Sequence, residues 1–168
     1  MDGALSDLKV VEYGHFISGP YCAKLLADWG AEVIKVEPPK AGDESRKREP
    51  FLNDVFHLEH SGLFLYLNAN KFGVTLDIKS PTGDRIFKEL IRLADILVSN
   101  EQLETIKELG LDWDSLHMVN DRLIVTSITP FGQTGPYRYY KATELYGASQ
   151  IFAHSTLSAL FGCSHFAK

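Results

Sequence analysis

The stretch from Ser18 to Asp43 reads SGPYCAKLLADWGAEVIKVEPPKAGD and leaves little choice of architecture. Pro20 suits the first turn of a helix, where its missing N–H costs nothing. Tyr21 to Trp29 follows as a short helix, and Gly30 stands where a helix C-terminus favours glycine. Ala31 to Val36 is a largely apolar strand, as expected of one covered on both faces. Pro38 and Pro39 end it. With a strand over Leu8 to Tyr13 in front, this is a compact βαβ unit. Such units bind ligands just beyond the carboxyl ends of their strands.

The same alternation continues. Residues 40 to 62 are charged and irregular. Leu63 to Leu67 is expected as a short strand, followed by an Asn-rich turn at Asn68 to Lys71. Val74 to Ile78 alternates as a strand does. Ser80-Pro81 opens a helix with a capping hydroxyl and a proline, and Ile86, Phe87, Leu90, Ile91, Leu93 and Ala94 give it an apolar stripe. Ile96 to Val98 reads as a buried strand and Glu101 to Leu109 as a helix closed by Gly110. Asp114 can cap a short turn through Leu116, and Arg122 to Ile128 is a strand. The segment Thr129-Pro-Phe-Gly-Gln-Thr-Gly-Pro136 is a loop, with a helix expected from about Thr143. Strands alternating with helices predict an α/β chain with an open, mostly parallel sheet.

At 168 residues the chain has the length of about one domain. A net charge of −5 argues against a broad nucleic-acid surface. A small polyanion needs only a few local cations, and Lys35, Lys40, Arg46, Lys47 and Arg48 form one such group or, equally, a solvated loop. Cys22 and Cys163 fit no metal or redox motif, which suits a reduced, cytoplasmic setting. The first residues are charged and polar, so no secretory leader is expected. No apolar run approaches the roughly 20 residues that span a bilayer, so no membrane partner is expected.

The turn Gly14-His-Phe-Ile-Ser-Gly19 joins a strand to a helix N-terminus, where free N–H groups can hold an anion. It is neither a G-x-G-x-x-G fingerprint nor a phosphate-binding Walker loop. Glu37 ends the second strand, where nucleotide-binding folds place a ribose-binding acid. Glycines that merely turn the chain explain the same residues.

An ordered set of fragments resembles the opening of the family III coenzyme A transferases. It comprises Ser18-Gly-Pro20, Leu25-Leu-Ala-Asp-Trp-Gly-Ala31, Val33-Ile-Lys-Val-Glu-Pro38, Gly42-Asp43, Asn70-Lys71, Leu76-Asp-Ile-Lys79, Ala94-Asp-Ile-Leu-Val98, Leu109-Gly-Leu111 and Phe131-Gly-Gln-Thr-Gly-Pro136. The resemblance covers roughly residues 5 to 150. It implies a Rossmann-like large domain over residues 1–150 with helices on both faces of the sheet, and an interlocked homodimer in the full-length protein. It also implies coenzyme A or an acyl-CoA as substrate with no permanently bound cofactor, and a carboxylic acid as the second partner. By position, the contacts to coenzyme A fall on His15, Ile17 and Ser18, on Leu76, Asp77, Ile78 and Lys79, on Asn100, Glu101 and Gln102, and on Lys141 and Glu144. Lys79 and Lys141 can meet phosphates. Leu76 and Ile78 can equally be plain core, and His15 a packed loop histidine.

The chain departs from the family in places. Pro38 stands where many relatives have arginine, and Lys40 is the available substitute. Asn70-Lys71 is followed by Phe72 in place of arginine. Glu101-Gln-Leu-Glu104 replaces a basic turn after Asn100 and puts two carboxylates near the expected polyphosphate path. The transferases work through an aspartate that forms an anhydride and then a thioester, splitting acyl exchange into easier steps. From Tyr139 onward Glu144 is the sole acidic side chain. No residue matches the nucleophile, so no catalytic residue is assigned, and residues 151–168 do not follow the family. The chain is therefore expected to be an N-terminal part of a transferase, inactive alone. Asp28, Asp77 and Asp95 read as helix-end or strand-end carboxylates, and His154 and His165 as tail histidines. Thr143 stands where the related acyl-CoA racemases carry histidine, which argues for transferase over racemase. A non-catalytic coenzyme A-binding module and an assembly fragment are the other readings.

Overall fold

Five short strands hydrogen-bond in the order β3-β2-β1-β4-β5, every neighbouring pair parallel. They are β1 (Lys9–Tyr13), β2 (Glu32–Glu37), β3 (Phe72–Thr75), β4 (Ile96–Ser99) and β5 (Ile124–Ser127). The helices between them are α1 (Ser18–Asp28), α2 (Gly62–Leu67), α3 (Pro81–Leu93), α4 (Leu103–Glu108) and α5 (Trp113–His117). The computed structural model describes residues 3–40 and 42–140. Residues 1–129 form one unit and residues 130–168 another.

Strand periodicity sorts the core. Val10 of β1 faces the same side as Val33 and Val98, where Ala23 and Ala27 of α1 cover them. Val11 and Tyr13 face the opposite side with Val36 and Leu97, under Phe87 and Ile91 of α3, Ile106 of α4 and Leu116 of α5. Helices thus lie on both faces of an α/β sheet, as expected. Burying Phe87 or Ile91, each at most 3% exposed, contributes about 1.5–3 kcal/mol. The strand order reverses between β1 and β4, the switch point at which such sheets bind ligands.

The helix signals of the sequence operate as physics requires. Ser80 Oγ accepts from Gly83 N at 3.0 Å with Pro81 in the first turn of α3. Asn120 Nδ2 closes the same helix by donating to Ile91 O and Ala94 O. Gly30, at φ 102°, takes the left-handed position after α1.

Three expectations are corrected. Leu63 to Leu67 is helical: Ser61 Oγ accepts from Phe64 N at 3.2 Å, and its hydroxyl also reaches Ser45 O and Arg48 O. A short apolar run has no period to separate strand from helix, and the cap decides it. The strand predicted over Val74 to Ile78 ends at Thr75, so Leu76 to Ile78 belong to the loop entering α3. Asp112, not Asp114, caps α5, its Oδ1 accepting from Ser115 N. In the second unit, Gly132 (φ 78°) and Gly135 (φ 86°) turn the chain, and Phe131, Tyr137 and Tyr140 gather their rings within 6.4 Å. The helix expected from Thr143 and the tail from Ile151 lie outside the described residues.

Candidate functional site

The turn from Gly14 to Pro20 crosses the carboxyl end of β1 at the switch point. Asn100, the first residue after β4, clamps it. Its Oδ1 accepts from His15 N at 2.7 Å, and its Nδ2 donates to His15 O at 2.7 Å and Ser18 Oγ at 2.9 Å. Both flanking glycines make room for that amide: a Cβ on Gly14 or Gly19 would lie 3.0 or 3.1 Å from it. Ile17, the residue before α1, offers no side-chain cap, and the first turn of α1 carries no acidic residue. The positive end of the helix dipole is therefore presented without a side-chain cap or an acidic neighbour in its first turn. Phe16 sits at φ 64°, a left-handed conformation that costs a non-glycine residue about 1–3 kcal/mol and needs its surroundings to hold it.

His15 Nε2 lies 2.5 Å from a Glu101 carboxylate oxygen. That hydrogen bond raises the imidazole above its ordinary value, against a smaller opposing effect of burial. Tyr13 meets the His15 ring edge-on at 5.8 Å. Burial, with the charges of Glu101 and Asp77 behind it, pushes the Tyr13 phenol up to about 12.

The other expected contacts spread along the same sheet edge. Leu76 and Ile78 pack into the core. Asp77 and Lys79 are exposed; Asp77 Oδ1 accepts from Lys79 N at 3.1 Å, and Lys79 Nζ stands 3.5 Å from Glu108. Gln102 is exposed at the start of α4. Hydrogen bonds and an ion pair thus unite His15, Ser18, Asn100 and Glu101, whereas Lys79 turns toward α4. Lys141 and Glu144 fall outside the described residues. Asp28 and Asp95 are the structural carboxylates expected of them: Asp28 holds Lys24 and Asn70, and Asp95 accepts from Lys9 N.

Beneath the turn lies a buried ionic quartet that the sequence does not announce. Lys35 Nζ stands 2.7 Å from Glu12 Oε1 and 2.8 Å from Asp43 Oδ2, and Lys71 Nζ stands 2.7 Å from Glu12 Oε2. All four side chains are at most 2% exposed. Burial lowers the Lys71 ammonium from its ordinary value, opposed by Glu12. The available signal was an opposite-charge pair, Glu12 and Lys35, set directly across from each other among the buried positions of β1 and β2. Of the five cations grouped from sequence, Lys35 is therefore buried and Arg46 is tied to Glu37 by two 2.8 Å bonds while stacking on Phe64. Lys40, Lys47 and Arg48 remain exposed. Glu37 and Arg46, with Lys40 and Thr75, line a cleft of about 180 Å³. Among the described residues no three metal-ligating side chains cluster, and no helix is long and apolar enough to cross a membrane.

The profile of CoA-transferase family III matches residues 5–155. The chain belongs to CoA-transferase family III.

It is 42% identical over 137 residues to the succinyl-CoA–D-citramalate CoA-transferase of Chloroflexus aurantiacus, covering 80% of this chain and 32% of that protein. It is 40% identical over 144 residues to the formyl-CoA:oxalate CoA-transferase of Bradyrhizobium diazoefficiens, covering 86% of this chain and 33% of that protein. A crystal structure of a CAIB/BAIF family protein from Brucella suis superposes with a TM-score of 0.78 at 30% identity, over 100% of this chain and 42% of the other. A hypothetical protein of Mycobacterium tuberculosis does so with a TM-score of 0.76 at 29% identity, over 88% of this chain and 39% of its own. The chain thus spans about a third of the length of these curated relatives.

Two positions at which the sequence departs from the family have defined surroundings. The Glu101 carboxylate, an unexpected negative charge beside the site, is paired with His15. Next to Pro38, the exposed Lys40 supplies a cation on the rim of the Glu37–Arg46 cleft.

Proposed function

We propose that this chain forms the coenzyme A-holding part of a transferase that moves coenzyme A between an acyl-CoA and a carboxylic acid. The observation that carries this reading is the union of His15, Ser18 and Asn100 around the uncapped start of α1, at the β1/β4 switch point of a family III chain. A polyphosphate laid across that end meets the helix N-terminus, with Lys79 exposed along the same edge and the backbone of Ile17 and Gln102 within its path. Relatives that use succinyl-CoA or formyl-CoA, with oxalate or D-citramalate, make small carboxylic acids the first acceptors to try.

In the family that the sequence resembles, acyl exchange works through an aspartate nucleophile. Asp43 is buried under Lys35, Asp28 and Asp84 hold lysines, and Asp95 and Asp112 accept backbone N–H groups. Asp77 is tied into its own loop. None of these six is assigned as the nucleophile, and by the resemblance no other residue of the sequence matches it, so binding without exchange is expected of this chain. The same observation supports a non-catalytic coenzyme A-binding module as the second reading. A homodimeric, cytoplasmic full-length enzyme with no permanent cofactor completes the proposal.

Calorimetric titration with coenzyme A, with NAD as the control ligand, tests the binding step. Saturable binding of coenzyme A alone supports the reading, and binding of neither ligand sinks it for this chain. An exchange assay with succinyl-CoA and a dicarboxylic acid separates the two readings: turnover by residues 1–168 would refute the assignment of no nucleophile.

A further inference from the structure

We propose that the buried quartet Glu12, Lys35, Asp43 and Lys71 is a positioning device that presets the turn from Gly14 to Pro20 for its ligand. Its four members come from β1, β2, the loop after β2 and the residue before β3. Their charges cancel. Buried ion pairs are poor stabilisers, because the desolvation of each ion offsets the attraction between them. The quartet does something that apolar side chains of the same volume cannot.

Three of its members each spend a hydrogen bond on the turn's own backbone. Lys35 Nζ donates to Gly14 O at 3.1 Å, Asp43 Oδ1 accepts from Phe16 N at 3.1 Å, and Lys71 Nζ donates to Pro20 O at 2.8 Å. These anchors bracket His15, Ile17 and Ser18, and the middle one falls on the left-handed Phe16. Asn100 holds His15 N and His15 O from the β4 side. Asp43 is itself fixed: Ser45 N and Ser45 Oγ donate to the same oxygen, and Asp43 N donates to Glu37, which Arg46 grips. The turn is thereby set before any ligand arrives, and less ordering remains to be done on binding. The effect on coenzyme A rests on the reading above; the setting of the turn does not.

Amide hydrogen exchange and coenzyme A titration on wild type, Asp43→Ala and Asp43→Asn test this. Asparagine keeps an oxygen for Phe16 N; alanine does not. Asp43→Ala is expected to lose protection at Phe16 about tenfold while Val98 in β4 keeps its own, and to bind coenzyme A about tenfold more weakly. Asp43→Asn, which keeps the acceptor for Phe16 N but turns an amide NH2 toward Lys35 Nζ, is expected to fall between alanine and wild type in both. Unchanged Phe16 protection in Asp43→Ala, a loss spread evenly over the sheet, or unchanged affinity despite a freed Phe16 overturns the proposal. Should Asp43→Ala not fold, Lys71→Gln, too short to reach Pro20 O, is expected to loosen residues 14–21 alone; unchanged exchange there overturns it equally. Wild type that fails to bind coenzyme A would sink the ligand reading, and the exchange at Phe16 would still decide whether the quartet sets the turn.

Discussion

Asn100 holds both backbone polar groups of His15, accepting from its N–H and donating to its carbonyl, each at 2.7 Å. A single amide side chain thus bridges the carboxyl ends of β1 and β4, residues that are 85 apart in sequence. Asn100→Ala removes both of these part-buried bonds, and a typical hydrogen bond contributes about 0.5–1.5 kcal/mol net. Denaturant unfolding is expected to show a loss in that range for each bond. Asn100→Asp, which keeps an acceptor but no donor, is expected to fall between alanine and wild type.

Close approach restricts Gly19 and Gly83 to different degrees. At Gly19 an added Cβ would lie 3.1 Å from the Asn100 amide and 3.2 Å from Gly14 Cα; at Gly83 it would lie 1.9 Å from Asp77 O. Overpacking of this kind costs about 1–3 kcal/mol and occasionally more. Gly83→Ala is expected to be the worse of the two in thermal melts, since a backbone carbonyl must move. Gly73→Ala, with nothing within 4 Å of the new atom, serves as the tolerated control.

Lys35→Met removes the cation between Glu12 and Asp43 and leaves Asp43 Oδ2 facing an apolar chain. Stranding a buried charge costs about 3–5 kcal/mol. Urea midpoints should drop accordingly. A change below about 1 kcal/mol would mean that the quartet is far more hydrated than its 0–2% exposure indicates.

The His15–Glu101 pair makes stability depend on pH in a defined direction. Because the folded histidine titrates above its ordinary value of 6.5, the folded state binds the extra proton. The stabilisation is complete below that value and is lost as pH rises through the folded one. Following the His15 ring by NMR should show an elevated midpoint in wild type. In Glu101→Gln the midpoint should move back toward 6.5 or below it, since the opposing burial then remains. An unmoved midpoint would remove Glu101 as its cause.

Much of the frame was legible because punctuation and periodicity agree locally. Ser80-Pro81, Gly30 and Gly110 mark helix ends by the conformations they allow, and Val10/Val33 and Val11/Val36 alternate as strands covered on both faces must. His15 and Ser18 were legible as part of a turn joining a strand to a helix, and Asn100 as a residue after a buried strand; the bonds that unite them were not. Leu63 to Leu67 was not legible, because five residues of apolar sequence suit either conformation and only the long-range bonds of Ser61 to Ser45 O and Arg48 O fix its cap.

What the sequence determined by itself was the alternation of strand and helix, and with it a parallel α/β sheet whose loops face one edge. Nearest-neighbour sterics and hydrophobic period act within a few residues, so they can be read along the chain. Only the tertiary structure decided that Glu12, Lys35, Asp43 and Lys71 would meet under one turn, and that Glu101 would be spent on His15. Charge pairing depends on distance in space and on the exclusion of water. Neither exists until the strands have been laid side by side.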